Sequence, residues 1–193
     1  MNKSTLFPLV ASLLLVLGVS PLVAQDPDSP LQVINGDFSD LEGLAGLQQA
    51  GWYSGVPMGW TAAPPPENQD NFYAVRNMGA AGFVANLHVL TRIKPEFQPL
   101  EQEVGVLAEM SDVTLTFDTT GLKDEDFSMG AAIANARGQG PAAILAKANF
   151  EAAGAQRLVA TKVPAGTWVA IRFWAVKGFP GIGNVTIKVT PSP

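Results

Sequence analysis

Hydrophobic and polar residues alternate along most of the chain with a period of two, in short runs. In 112–119 (DVTLTFDT), Val113, Leu115 and Phe117 take one side and threonines the other. In 82–90 (GFVANLHVL), Phe83, Ala85, Leu87 and Val89 share a side. In 99–107, Leu100, Gln102, Val104 and Val106 recur at every second place. Successive side chains of a strand point to opposite faces, so this period predicts half-buried strands. Runs at 31–34, 71–76, 129–136, 142–150, 156–163, 167–177 and 184–190 extend the series. Strands spaced about ten residues apart, with turn residues between them, predict an all-β antiparallel sandwich or barrel.

Helical signals are few. Residues 41–50 (LEGLAGLQQA) form the best candidate for a short helix, although two glycines interrupt them. Residues 142–155 are rich in alanine, which leaves a helix as an alternative there. The flanking Gly-Pro and Ala-Gly-Ala breaks favour a strand. Residues 62–70 (AAPPPENQD) read as a loop, because three consecutive prolines cannot join a central strand. Residues 123–126 (KDED) read as a second polar loop.

The N-terminus carries a different pattern. Lys3 precedes an almost wholly apolar run at 6–19, then Gly18, Ser20 and Pro21 break it, and Leu22-Val23-Ala24 ends in a small residue. This is the pattern of a secretory signal peptide at 1–24. The alternative is an uncleaved anchor, but the apolar run is short of the roughly 20 residues that a spanning helix needs. A polar lead-in follows at 25–30 (QDPDSP), and 31–190 reads as a single domain. No later run is long and apolar enough to span a bilayer, so the exported protein is expected to be secreted and not membrane-inserted.

Composition narrows the function classes. Only 15% of the 193 residues are charged, the formal net charge is −5, and there is no cysteine. An acidic chain without clustered Lys and Arg does not suit nucleic acid. Without cysteine there is neither a disulfide framework nor a thiolate metal site. His88 is the one histidine, so a Ser-His-Asp triad would have to use it, and zinc would lack partners. No G-x-S-x-G elbow occurs. Carboxylates remain: Glu101, Glu103, Asp118 and Glu151. Glu101 and Glu103 share a strand face about 6.6 Å apart, yet alternating Glu is also the ordinary pattern of an exposed strand. The expectation is that the protein is not an enzyme.

Candidate binding chemistry lies in 167–177 (TWVAIRFWAVK). Alternation puts Val169, Ile171, Phe173 and Ala175 on one face, which suits a core. The other face carries Trp168, Arg172 and Trp174. Two rings interleaved with a guanidinium could stack on a sugar and grip its hydroxyls. The competing reading has the tryptophans covering the sheet, with Arg172 over a ring. A second aromatic group, Trp52, Tyr53 and Trp60, flanks Gly55-Val56-Pro57. Trp52 and Tyr53 are placed to face a ligand at a loop end. Tyr73 and Arg76 fall on opposite faces of their strand, so at most one of them joins any patch.

Three motifs occur in order: Ile34-Asn35-Gly36-Asp37-Phe38 (N-G-x-F), Pro57-Met58-Gly59-Trp60-Thr61 (P-x-G-W-T), and Leu100-Glu101-Gln102-Glu103-Val104 (L-x-Q-x-V). The last leads to Val113–Phe117 in V-T-L-T-F-D and a closing Gly183-Asn184-Val185-Thr186-Ile187. This order resembles the galactose-binding-like jelly rolls, which include carbohydrate-binding modules. The resemblance implies a jelly-roll sandwich of eight or more strands. It also implies non-catalytic binding, often of glycans, on a concave sheet face or at the loops of one end. It implies a buried Trp60 and a structural calcium to which Asp37 would contribute. Where the family's closing strand usually starts with an acidic residue, this chain has Gly183-Asn184, so one expected carboxylate is missing. Together these point to a secreted binding module for an extracellular glycan or surface polymer. The alternative is a structural or adhesive protein of the envelope or matrix with the same fold and no sugar site.

Overall fold

The computed structural model describes residues 29–47, 51–62, 73–87, 99–121, 126–139 and 143–193. The signal-peptide reading of 1–24, His88, most of the proline loop at 62–70 and most of the polar loop at 123–126 lie outside them.

Among the described residues eleven strands form: β1 (Ala45–Gly46), β2 (Trp52–Ser54), β3 (Tyr73–Asn77), β4 (Phe83–Leu87), β5 (Leu100–Val106), β6 (Ser111–Gly121), β7 (Ser128–Asn135), β8 (Ile144–Phe150), β9 (Gly154–Val163), β10 (Trp168–Lys177) and β11 (Pro180–Pro191). They build a seven-stranded sheet ordered β1-β2-β3-β4-β11-β6-β9 and a four-stranded sheet ordered β5-β10-β7-β8. All pairings are antiparallel. The result is an antiparallel β-sandwich, as the alternation predicts. Among the described residues no helix is long and apolar enough to cross a membrane.

The core lies between the two sheets. Val113, Leu115 and Phe117 of β6 face Val169, Ile171 and Phe173 of β10 across it. Phe117 and Phe173 meet edge-on, with centroids 5.0 Å apart, the arrangement that the ring quadrupole favours. The alanine-rich run is a strand: β8 pairs with β7 along its length. Its side chains fall on a sheet whose other members are already extended, and that tertiary pairing overrides local helix propensity.

Three expectations need correction. Residues 31–34 do not form a full strand. Leu31 makes a single bridge to Gly105, after which the chain turns through Asn35, held at φ 50°. Residues 41–47 form a turn and the two-residue β1 instead of a helix; the interrupting glycines leave too little propensity to nucleate one. Val106 points outward and is 38% exposed. Ala170 pairs with Glu103 but Val169 pairs with Gly105, so β5 carries an extra residue there. That bulge, at a glycine with φ 134°, reverses the alternation and turns Leu107 inward instead.

The sequence motifs converge on one corner of the sandwich. The buried side chain of Gln102 accepts from the Ile34 amide (2.7 Å) and donates to the carbonyls of Ile34 (2.9 Å) and Gly59 (2.8 Å). Trp60 donates its indole N–H to the Asn35 carbonyl and packs on Phe38 with centroids 5.3 Å apart. Gly59 sits at φ 78°, and a Cβ there would press within 2.7 Å of Ile34 Cγ2. The N-G-x-F, P-x-G-W and L-x-Q-x-V steps thus form one interlocked tie, and Trp60 is a buried plug.

Candidate functional site

The outer face of the four-stranded sheet collects most of the residues singled out in the sequence. Because Val169, Ile171, Phe173 and Ala175 turn into the core, the other face of β10 presents Trp168, Ala170, Arg172, Trp174 and Val176. The register places Glu101 beside Arg172 and Glu103 beside Ala170 on β5. On β7 it places Gly130 beside Trp174, Ala132 beside Arg172 and Ala134 beside Ala170. Beyond them, Lys147 of β8 lies opposite Ala132, and Asn149 opposite Gly130.

Charge and aromatic groups interlock on this face. Arg172 Nε donates to Glu101 Oε2 at 2.6 Å, and Nη2 reaches the other oxygen at 3.4 Å. Arg137, just after β7, donates from Nη2 to Glu103 Oε1 at 3.1 Å and sets its guanidinium carbon 4.9 Å from the Trp168 ring centroid. Lys147 Nζ lies 5.2 Å from the Trp174 centroid. The two strand-sharing carboxylates, Glu101 and Glu103, are therefore partners of arginines.

The two tryptophans are not equivalent. Trp168 is 40% exposed, whereas Trp174 is 6% exposed. The indole of Trp174 lies across Gly130, where a Cβ would collide with its Cε2, Cζ2 and Nε1 atoms. Trp174 is accordingly packed on the sheet with a lysine above it, and it is not an open platform. Arg172 pairs with Glu101, and the cations over the rings are Arg137 and Lys147. Period two alone did not reveal those two, because their placement depends on cross-strand register. One signal was present: Gly130, Ala132 and Ala134 form a row of small residues on the outer side of β7, which leaves room for a ring from the next strand.

The second aromatic group divides. Tyr53 packs against the core, as does Tyr73; burial pushes the Tyr73 phenol up to about 12. Trp52 faces the other way, on the outside of the seven-stranded sheet, opposite Arg76, whose guanidinium carbon lies 5.1 Å from the Trp52 centroid. Adjacent strand residues point to opposite faces, so Trp52 and Tyr53 do not make one patch. Trp52 and Trp168 lie on the outer faces of different sheets.

Asp37 does not gather a metal cage. Both its oxygens accept from the Ser39 hydroxyl, and Oδ1 also accepts from the Ser39 amide. The turn is closed by an amide: Asn35 Nδ2 donates to the carbonyls of Asp40 and Met58, and its Oδ1 accepts from the Asp40 amide. Asn184 donates to Asp118 Oδ2. Among the described residues no three His, Cys, Asp or Glu side chains converge. Calcium takes six to eight oxygens, carboxylates among them, and the residues present at this turn do not fit such a set.

No protein-family model matches the chain, and no curated protein matches it. Solved structures similar to it include carbohydrate-binding modules. BiXyn10A CBM1 in its apo form is 11% identical, with a TM-score of 0.45, covering 73% of this chain and 96% of that one. The CBM22-1 xylan-binding domain of Xyn10C from Paenibacillus barcinonensis is 10% identical, with a TM-score of 0.43, covering 74% and 94%. The enzymatically active domain of bacteriophage CBA120 tailspike protein 4 is 16% identical, with a TM-score of 0.40, covering 83% of this chain but 22% of that one. At these scores the function has to be read from the chain's own surface.

Proposed function

We propose that this chain is a secreted, non-catalytic module that recognises an extracellular glycan or surface polymer on the outer face of its four-stranded sheet. The observation that carries the reading is the exposed Trp168 ring set among hydrogen-bonding groups. Arg137 lies over the ring, and Arg172 and Glu101 lie along the same strands. An apolar ring flanked by planar donors and acceptors is what polysaccharide recognition needs. The pairing of Glu101 and Glu103 with arginines argues for a recognition surface and against a free catalytic pair. Affinity electrophoresis through gels containing different polysaccharides tests this. Trp168→Ala is expected to lose at least about tenfold in retention, as a central aromatic anchor does. Unchanged retention on every polysaccharide that holds the parent protein would refute the assignment of this face.

A second reading is a structural or adhesive protein without a sugar site. It is favoured by the near-complete burial of Trp174 and the tight Arg172–Glu101 pair, which would serve a sheet surface as a rigid ladder. Failure of the protein to be retained by any glycan would select it.

A further inference from the structure

We infer that the opposite sheet carries a second binding site, one that takes a single sugar ring at a chain end by its neighbouring hydroxyls. This site is independent of the four-stranded sheet. It is a cavity of about 170 Å³ on the outer face of the seven-stranded sheet. Val84 of β4 lines one side, with Met78 and Ala81 of the turn before it. Asp118 and Thr120 of β6 line the other, and Gly183 of β11 lies between them. Ala85 and Phe117 turn into the core, so their neighbours Val84 and Asp118 face outward. Gly183 pairs with Asp118, and a Cβ on it would stand 3.5 Å from Val84 Cγ1. With no side chain there, the floor between the two sides stays open.

The polar groups converge at one end of the cavity. The register of β11 against β6 shifts between Gly183 and Thr186, and Asn184 occupies that bulge at φ 50°, a left-handed conformation that asparagine tolerates better than most residues. The bulge sends the Val185 amide to the Gly36 carbonyl at 2.8 Å. It sends the exposed Asn184 carboxamide to the outer face, where Nδ2 donates to Asp118 Oδ2 at 2.7 Å. That bond holds two planar groups side by side. Neither side chain makes another bond, so Asp118 Oδ1, Asn184 Oδ1 and the second amide N–H face a ligand. Neighbouring ring hydroxyls, which donate and accept, match this set, and the carboxylate strengthens their bonds. Val84, Met78 and Ala81 offer apolar contact to the C–H face of the ring. No Lys or Arg lines the cavity, so an anionic group would meet the Asp118 charge unopposed. A cationic amine would use the carboxylate but not the amide fixed beside it. The volume is below the roughly 300–1,000 Å³ of pockets for larger ligands, which suits one ring and not a chain running through.

The test titrates the nitrogen-labelled full chain with methyl xyloside, glucoside, galactoside and mannoside in turn, and with methylammonium. The signals followed are the Asn184 side-chain amide and the indoles of Trp52 and Trp168. One glycoside is expected to move the Asn184 signal to saturation, equally at low and high salt, while both indoles stay in place. Asp118→Ala is expected to weaken that binding about five- to tenfold. Asp118→Asn, which keeps the shape and a hydrogen-bonding group, is expected to weaken it about two- to fivefold. Lys188→Ala, at an exposed position of the same strand, is expected to change nothing. Circular dichroism confirms that each variant is folded. An Asn184 signal that no glycoside moves, or one that moves equally in Asp118→Ala, would overturn the site. Salt-sensitive binding of methylammonium alone, abolished by Asp118→Asn, would overturn the sugar assignment. A glycoside that moves Trp168 and not Asn184 would overturn the second site and leave the four-stranded sheet as the binding face.

Discussion

Gly130→Ala is a small change with a sign that depends on one contact. Gly130 does not occupy the left-handed region, so alanine is compatible with its backbone. Without other effects the substitution would stabilise the strand by about 0.4–1 kcal/mol through the unfolded state. The Trp174 ring changes that expectation, because a Cβ at Gly130 overlaps the indole. Either the ring stays and the site is overpacked, at about 1–3 kcal/mol, or the ring lifts away. Lifting one indole face frees roughly 60–100 Å² of apolar surface, or about 1.5–2.5 kcal/mol at roughly 25 cal/mol per Å². It also removes the ring from beneath Lys147. Both routes leave a net destabilisation of about 1–2 kcal/mol and a fall in Tm of about 2–8 °C. Urea unfolding followed by circular dichroism and tryptophan fluorescence measures it. In a Trp174→Ala background the same substitution is expected to be neutral or stabilising, since the obstacle is gone. A Gly130→Ala protein more stable than the parent, or one equally destabilised in both backgrounds, would refute the packing of Trp174 on β7.

Two further outcomes follow from the buried polar groups. Gln102→Ala strands the Ile34 amide and the carbonyls of Ile34 and Gly59; urea unfolding is expected to show a loss of about 2–4 kcal/mol, and a loss within about 0.5 kcal/mol, as at an ordinary surface site, would contradict the corner described here. Burial raises the Tyr73 phenol from 10.0 to about 12, so the folded state holds its proton where the unfolded state has released it. Its contribution to stability is complete below pH 10 and is lost as the pH rises from 10 through 12. A near-ultraviolet absorbance titration is expected to show a phenolate forming near pH 12 in the parent and absent in Tyr73→Phe.

Period two located the sandwich because each strand has one face against the other sheet. Val113, Leu115 and Phe117, and likewise Val169, Ile171 and Phe173, had only one way to be buried. It failed at Val106 because a bulge at Gly105 shifts the alternation by one residue, and a bulge is fixed by the partner strand. It failed at 41–47 because an apolar run broken by glycines suits several local structures, and tertiary contacts chose a turn. On the candidate site, the sequence placed Trp168, Arg172 and Trp174 on a common face, which the backbone period determines. It did not show which ring is open. That depends on Gly130 and Lys147, which lie 44 and 27 residues earlier in the chain and meet Trp174 only through cross-strand packing. Tyr53 shows the opposite limit: its turn-like surroundings suggested exposure, but its neighbour Trp52 takes the outer face and leaves Tyr53 the inner one.

The central claim is that ligand contacts the outer face of the four-stranded sheet at Trp168. The four tryptophans give four indole N–H signals in a nitrogen–proton correlation spectrum, assigned by single Trp→Phe variants. On titration with the polysaccharide that retains the protein best, the Trp168 signal is predicted to move most. Trp60, bonded to the Asn35 carbonyl inside the corner, is predicted to stay in place. A spectrum in which Trp52 moves and Trp168 does not would put the ligand on the other sheet and contradict the account.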